Sequence, residues 1–371
     1  MTPRERLLTT MRGGVADRVP LVLAGFQFPS HDALRPVDDP HRRQIAERVL
    51  DQMHFEVGVG SGVNRLLVTP PQRMRHEHRE LGNGLRETHG VIDTPKGELT
   101  FHTRYDPAAR TTWTLKYPCE TPEDVAKIAS VPWEMPPGVA PPDLDTLPPA
   151  FHRRGIVRAT ISSPFVCVAG MMPYQTFLMM CATELELVKE LTEICRQRIL
   201  AVLEVLFSQP GIEYVWIGGS EWVTPPMGSP ALYDALVQEQ EQSLIDFIHG
   251  HSDAVVHVHC HGHVRHAIGR CIERGADYTE PVEPPPDGDI TMSEAKALAA
   301  GRITLGGNVE ARVLCNESED VTEQAVRAAF EGGKERFVLR PSEGPSAVIG
   351  ERECANWMKM VDVWEELSPI P

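Results

Sequence analysis

The feature that most constrains the fold is an alternation, after residue 150, of short apolar runs with longer segments of helical periodicity. Short apolar runs between turn signals predict buried strands. Strands that alternate with helices predict βαβ units and a parallel sheet. Two more apolar runs precede residue 150, with a predicted helix at 41–53 between them. The predicted strands are Val19–Ala24, Phe55–Val59, Gly155–Ile161, Glu213–Ile217, Val255–His259, Asp277–Thr279, Ile303–Leu305 and Arg336–Leu339.

The number of predicted strands matches a closed barrel, because eight parallel strands with helices between them form the (β/α)₈ (TIM) barrel. We therefore predict an α/β protein with a single barrel domain over residues 1–371. The later predicted helices lie at about 173–207, 229–250, 263–274, 292–300, 320–331 and 351–367.

Two segments interrupt the alternation. Residues 76–118 contain the turn signals Gly82-Asn83-Gly84 and Pro95-Lys96-Gly97, and their strands alternate in hairpin style. They predict a β-rich insertion after the second strand, which could serve as a lid or build a homodimer. Residues 135–149 are rich in proline and predict an extended connector.

Composition limits the partners of the chain. The net charge of −16 argues against general binding to nucleic acid or to an anionic membrane surface, since both require clustered Lys and Arg. No apolar run approaches the ~18 residues of a spanning helix. Eight scattered cysteines without a CxxC pair indicate core residues in a reducing compartment. We expect a cytoplasmic protein.

Chemistry is expected where the strands end, because active sites of such barrels lie at the carboxyl ends of the strands. His257, His259 and His261 share one face of the fifth strand, since alternate side chains point the same way. His259 and His261 end the strand and could present two imidazoles to one ion. A carboxylate from a later strand end would complete a three-ligand site with an open position, as in catalytic zinc. The acidic candidates are Glu280, Glu283 and Glu343, and Cys260 is a further possible ligand.

Other residues after the strands are candidates for catalysis or substrate binding. Tyr174 and Glu221 are candidate acids. Asn308 could contact substrate or cap a helix, and Met171 and Met172 could line an apolar pocket or pack in the core. The full set of substrate-binding candidates is Phe26, Met171, Met172, Trp222 and Asn308.

The opening Met1-Thr2-Pro3-Arg4-Glu5-Arg6, the following Asp17-Arg18-Val19-Pro20 and the order of the strand-end segments resemble the uroporphyrinogen decarboxylase superfamily. The resemblance covers nearly the whole chain and implies a single (β/α)₈ barrel. True decarboxylases of the family resemble each other in an Arg-rich loop after the first strand. Here residues 25–32 contain no arginine, which counts against a tetrapyrrole acid as substrate because its carboxylates need cations.

The segments after the fifth and eighth strands are closer to the cobalamin-dependent methyltransferase branch, which carries His-x-Cys-Gly and a later Cys. In this chain His261 and Glu343 stand at the two cysteine positions, within His259-Cys260-His261-Gly262 and Ser342-Glu343-Gly344. A Glu after the sixth strand, as in cobalamin-independent methionine synthase, is matched by Glu280 or Glu283. The resemblance implies zinc or another divalent metal on His259, His261, Glu280 and Glu343.

These features lead to one functional prediction and two alternatives. The prediction is a metal-dependent methyltransferase or O-demethylase that moves a methyl group between a methoxylated small molecule and a corrinoid (cobalamin) co-substrate, which a partner protein could carry. The first alternative is a metal-free decarboxylase of a tetrapyrrole or related acid. The second is a non-catalytic module that binds a corrinoid or tetrapyrrole.

Overall fold

A computed structural model of the chain describes residues 1–61 and 71–371. It contains a parallel sheet of seven strands and a separate antiparallel sheet of four. Numbered along the chain, the strands are β1 Phe55–Val59, β2 Met74–Gly82, β3 Leu85–Thr94, β4 Gly97–Asp106, β5 Thr111–Lys116, β6 Gly155–Ser162, β7 Tyr214–Gly218, β8 Val255–His259, β9 Tyr278–Glu280, β10 Thr304–Gly306 and β11 Phe337–Val338.

The helices fall between these strands as the alternation predicts. They are α1 Pro3–Met11, α2 Pro40–Val49, α3 Pro122–Ala129, α4 Phe151–Arg154, α5 Pro164–Ala169, α6 Tyr174–Thr183, α7 Leu185–Leu206, α8 Pro230–Tyr233, α9 Glu239–His251, α10 Arg265–Glu273, α11 Met292–Ala299, α12 Ala311–Asn316, α13 Glu319–Phe330 and α14 Glu351–Leu367. The predicted helix at 173–207 is two helices, because the backbone of Glu184 is not helical (φ −137°, ψ 40°).

The parallel sheet follows the order β1-β6-β7-β8-β9-β10-β11, which is the order of the chain. This arrangement confirms the predicted (β/α)₈ barrel class. The prediction of a regular first strand at Val19–Ala24 is wrong, since a single parallel bridge joins Leu21 to Leu339 there. Pro20 lacks an N–H and cannot donate to a ladder. Its carbonyl accepts from Leu339 N (2.9 Å), so the segment still lies beside β11.

The β-rich insertion is confirmed as the antiparallel sheet β2-β3-β4-β5. Its turns use the predicted glycines, with Gly82 and Gly84 at positive φ. One face of this sheet carries Ile92 and Leu99, which pair across β3 and β4 and are buried in the main core. The other face is therefore turned away from the core.

Alternation along the barrel strands separates two environments. Val256 and Val258 of β8 belong to the large core between strands and helices. Val255, with Tyr214 and Tyr278, belongs to a second apolar cluster that also contains residues of α1. Because these residues lie at the start of their strands, α1 packs across the amino-terminal end of the barrel. Among the described residues, no helix is both long enough and apolar enough to cross a membrane.

Candidate functional site

The candidate site is built on the carboxyl ends of β8 and β9. Their parallel register places His257 beside Tyr278 and His259 beside Glu280. Side chains two residues apart on a strand share a face, so both histidines point to the same side as their neighbours on β9. The barrel thereby brings two imidazoles and a carboxylate together, and His257, His259 and Glu280 offer donor atoms that all lie within 4.8 Å of one another.

Glu280 is the centre of this cluster. Its Oε1 lies 2.7 Å from His257 Nε2, 2.8 Å from His259 Nδ1 and 2.9 Å from Arg340 Nη1. Its side chain is fully buried. The hydroxyl of Tyr214 also hydrogen-bonds to His257 Nδ1. One carboxylate oxygen thus joins side chains that come from β8, β9 and the residue two positions after β11.

Arg340 sets the charge of the cluster. Burial alone would raise the pKa of Glu280, but the guanidinium of Arg340 and the two imidazoles outweigh it and hold that pKa well below its ordinary value. Burial lowers the pKa of His257 to about 4, despite the opposing charge of Glu280. At neutral pH the cluster therefore contains a carboxylate, a guanidinium and a neutral imidazole at His257.

A second imidazole–carboxylate pair lies next to the first. His261 Nδ1 donates to Glu283 Oε1 at 2.9 Å, and Gly262 N donates to Glu283 Oε2 at 2.5 Å. Gly262 has φ +90°, a conformation that side-chain-bearing residues rarely adopt. The rings of His259 and His261 are 4.6 Å apart and nearly perpendicular. From the sequence, Glu280 and Glu283 were alternative acidic residues for the site. In the structure Glu280 hydrogen-bonds to His259 and Glu283 hydrogen-bonds to His261.

These pairs fit a metal centre in a specific way. A metal-binding histidine usually donates its other ring N–H to a carboxylate, which fixes the ring and its tautomer. His259 and His261 both donate from Nδ1, which leaves Nε2 of each ring as the coordinating atom. Glu280 Oε2 is buried and has no hydrogen-bond partner among the described residues, an orphaned acceptor that a cation would satisfy. The residues present therefore fit a divalent cation.

The other predicted ligands are arranged differently. Glu343 is exposed and, like His261, lies outside the groups of three donors within 4.8 Å that the described residues form. Cys260 is buried with its Sγ 3.3 Å from Thr224 Oγ1, and burial raises the pKa of its thiol well above the ordinary value. The protonated thiol is a poor ligand. Coordination by Glu343 stays a prediction.

The two predicted acids, Tyr174 and Glu221, lie near each other, because Tyr174 contacts the residue that follows Glu221. The hydroxyl of Tyr174 donates to the carbonyl of Trp222, and the rings of these residues are 5.9 Å apart in edge contact. Burial raises the pKa of Tyr174. Glu221 has a buried Oε2 without a hydrogen-bond partner in the described part of the chain, and its charge helps to raise the pKa of His261. Glu221 therefore adds negative charge near His261, beside the paired Glu283.

The predicted substrate-binding residues divide into two groups. Phe26, Met171 and Met172 are almost completely buried and belong to the main core, with Phe26 in edge contact with Trp357 at 5.0 Å. Trp222 is partly exposed. Asn308 is buried and its Nδ2 donates to Glu310, so it is not a helix cap. A substrate role for these five residues stays a prediction.

Sequence reasoning missed Arg340 and Glu310. Arg340 directly follows the predicted strand Arg336–Leu339. A charged residue at the end of a buried strand is the feature that could have indicated it as a site residue. Glu310 follows β10 by four residues, and burial together with the charges of Glu283 and Asp287 raises its pKa to about 7. This carboxyl is therefore partly protonated at neutral pH.

Below the cluster the barrel encloses a small polar cavity. Its volume is about 80 Å³, and its lining includes His54, Glu56, Arg158, Tyr214 and His257. The guanidinium of Arg158 is paired with Glu56. Substrate pockets usually measure about 300–1,000 Å³, so this cavity is too small for a substrate. A substrate must therefore approach the cluster from the carboxyl ends of the strands.

Comparison with known proteins agrees with the fold. The sequence matches the uroporphyrinogen decarboxylase (URO-D) family over residues 116–367. The chain belongs to the uroporphyrinogen decarboxylase family, and the resemblance seen in the sequence is confirmed. No curated protein matches the sequence.

Three solved structures illustrate what the chain is similar to. A methyltransferase from Methanosarcina mazei is 14% identical with a TM-score of 0.57, and the match covers 99% of each chain. A B12-independent methionine synthase from Shewanella sp. W3-18-1 is 8% identical with a TM-score of 0.47, covering 91% of this chain and 87% of that one. A putative vitamin-B12-independent methionine synthase from Listeria monocytogenes is 16% identical with a TM-score of 0.31, covering 58% and 64%. The first likeness shows a shared fold.

Proposed function

We propose that this protein is a metal-dependent methyltransferase that moves a methyl group between a methoxylated small molecule and a corrinoid, which a partner protein could carry. The observation that carries the proposal is the pair of histidines at the end of β8, each with Nδ1 held by its own carboxylate. This arrangement prepares both Nε2 atoms for one divalent ion. The family and the shared fold with a methyltransferase support the same reading.

His259 and His261 would hold the ion, with Glu221 or Glu343 as the oxygen ligand. Bound there, a divalent ion such as zinc would supply Lewis acidity toward an ether oxygen. Glu280 and Glu283 orient the rings through their Oε1 atoms. Glu280 would also offer to the ion its Oε2, which has no hydrogen-bond partner in the described part of the chain, and Arg340 neutralises the charge of Glu280. A histidine and carboxylate set is harder than the thiolate set of the related methyltransferases, so it suits an oxygen substrate better than a thiol.

The reaction that follows is O-demethylation. A bound corrinoid would supply the electron pair for the new bond to the methyl carbon, and the electrons of the broken carbon–oxygen bond would remain on the oxygen. A proton then neutralises the oxygen of the leaving alcohol or phenol. Where Glu343 is the oxygen ligand of the ion, Glu221, which has a buried oxygen without a hydrogen-bond partner among the described residues, is the group that could carry that proton. The hydroxyl of Tyr174 is already engaged with the carbonyl of Trp222.

The decarboxylase alternative has family membership in its favour. Its substrate carboxylates would need free cations. Arg158 and Arg340, which line the barrel interior, are both paired with buried or half-buried glutamates. The contacts around the cluster therefore favour methyl transfer over tetrapyrrole decarboxylation.

The test combines metal analysis with turnover of the purified full chain. Wild type is expected to hold metal in proportion to protein and to transfer methyl groups from a methoxylated aromatic compound to reduced cobalamin, followed by the visible spectrum of the cobalamin. His259→Ala and His261→Ala should lose both the barrel metal and the turnover. Glu343→Ala and Glu221→Ala show which carboxylate is the oxygen ligand, because the variant that removes the ligand should lose the barrel metal as the histidine variants do.

His251→Ala is the matched control, because His251 ends α9 just before the other end of β8 and is exposed. It should keep metal and turnover. Full metal retention in both His259→Ala and His261→Ala would refute the proposed centre. Metal-free release of carbon dioxide from a tetrapyrrole acid would establish the decarboxylase, and cobalamin binding without turnover of any methyl donor would establish the binding module.

A further inference from the structure

A second group of side chains whose donor atoms lie within 4.8 Å of one another, Glu87, His89 and His102, lies on the antiparallel insertion. His89 of β3 is paired in register with His102 of β4, and Glu87 is paired with Arg104 one step along. Residues at i and i+2 share a face, so all four side chains project from the face opposite to Ile92 and Leu99. That face is turned away from the core.

The two imidazoles of this face lie flat against each other. Their ring centroids are 4.0 Å apart and the rings are inclined by 16°. Nε2 of His102 lies 3.5 Å from Glu87 Oε2, and Nε2 of His89 lies 3.7 Å from the same oxygen. These separations are too long for good hydrogen bonds. His102 Nε2 is buried and has no hydrogen-bond partner among the described residues.

The separations suit a shared ion better than direct contact. Ligand atoms on a tetrahedral zinc ion with bonds of about 2.0–2.1 Å lie roughly 3.4 Å from one another. The two distances to Glu87 Oε2 are close to this value. In the barrel, by contrast, the donors around Glu280 Oε1 lie at hydrogen-bonding distances of 2.7–2.9 Å.

Glu87 is prepared to act as a ligand. Arg104 donates to its Oε1 from Nε at 3.0 Å and from Nη2 at 2.6 Å, which leaves Oε2 toward the histidines. The bond from Arg104 lowers the pKa of Glu87 below its ordinary value. The group is therefore a carboxylate at neutral pH, with one oxygen oriented and one available. Arg104 here plays the orienting part that outer partners play in metal sites.

We propose that Glu87, His89 and His102 form a second binding site for a divalent transition-metal ion such as Zn²⁺. Two imidazoles and one carboxylate leave a fourth position for water on the solvent side. The site joins neighbouring strands of the insertion through side chains. An ion bound to the folded chain alone stabilises it, so zinc should strengthen the insertion.

The experiment titrates Zn²⁺, and in parallel Co²⁺, into the metal-stripped full chain by calorimetry and visible absorption. Wild type should bind one equivalent more than His89→Ala or His102→Ala. The cobalt absorption that this equivalent gives in wild type should be absent in both variants. His78→Ala is the matched control, since His78 is exposed on the same sheet but projects from the other face, where it hydrogen-bonds to Thr88. It should bind as wild type does.

The two metal sites can be told apart because the variants act on different residues. His259→Ala should leave the insertion equivalent intact, and His89→Ala should leave methyl transfer intact, so failure of one proposal does not decide the other. Glu87→Gln keeps both imidazoles and serves if a histidine variant misfolds, and it should weaken the same equivalent. Equal stoichiometry in wild type, His89→Ala, His102→Ala and Glu87→Gln would overturn the insertion site.

Discussion

Replacing Glu310 by glutamine should change how the stability of the protein depends on pH. Burial first, and the nearby charges of Glu283 and Asp287 second, raise the pKa of Glu310 from 4.5 to about 7. Between these values the folded chain binds more protons at this position than the unfolded chain does. Stability from this group is therefore fully present below pH 4.5 and is lost as the pH rises through about 7.

The size of the effect follows from the shift. Each unit of difference between the pKa in the folded chain and the pKa in the unfolded chain corresponds to about 1.36 kcal/mol. Glu310 therefore contributes at most ~3 kcal/mol to the free energy of unfolding. Glutamine cannot ionise, and the Glu310→Gln protein should lack this loss. Its free energy of unfolding relative to wild type should rise by up to that amount between pH 4.5 and pH 8.

The assay is urea unfolding of the metal-free full chain at several pH values, followed by circular dichroism. Glu317→Gln, the same replacement at an exposed position, is the control for the general effect of exchanging a glutamate for a glutamine. A Glu310→Gln difference that stays constant from pH 4.5 to pH 8 would refute the reasoning, because Glu310 would then ionise in the folded chain as it does in the unfolded one.

Three further changes test the packing around the site, each by urea unfolding. Glu280→Gln should cost ~3–5 kcal/mol because it leaves the guanidinium of Arg340 buried beside a neutral side chain, and a cost below 1 kcal/mol would contradict that ion pair. Glu241→Gln should cost a similar amount, since Glu241 and Arg274 are both fully buried and lie 2.8 Å apart; equal unfolding of variant and wild type would count against it. Gly262→Ala should cost ~1–2 kcal/mol because of its φ of +90°, and a neutral result would show that the turn relaxes.

The sequence predicts those barrel strands that consist of an uninterrupted apolar run. Val255–His259 and Phe55–Val59 form strands with the predicted bounds, because a buried parallel strand needs an apolar run whatever its neighbours are. Val19–Ala24 has the same composition, yet Pro20 interrupts its donors and it forms a single bridge. The predicted helix at 173–207 is divided at Glu184, whose backbone is not helical. Glutamate is not a residue type that breaks helices, so the sequence did not indicate this division.

The site was predictable only in part. The alternation His259-Cys260-His261 placed the two imidazoles, and the later strand ends placed Glu280 and Glu283 near them. Which carboxylate serves which histidine depends on the register of β8 and β9, which the sequence does not contain. The role of Arg340 depends on the lateral neighbours of Glu280 and appears only when the strands are side by side.

The imidazole–carboxylate pairs at the barrel mouth have a consequence for how the centre is assembled. His259 and Glu280 are 21 positions apart, and His261 and Glu283 are 22 apart. Each pair therefore closes within one strand–helix–strand crossover, before β10 and β11 are needed. Pairs separated by so few residues form with little loss of chain entropy. The two glutamates that orient the histidine rings, together with those rings, therefore form a local unit. A related barrel could receive this unit by exchange of a single contiguous segment.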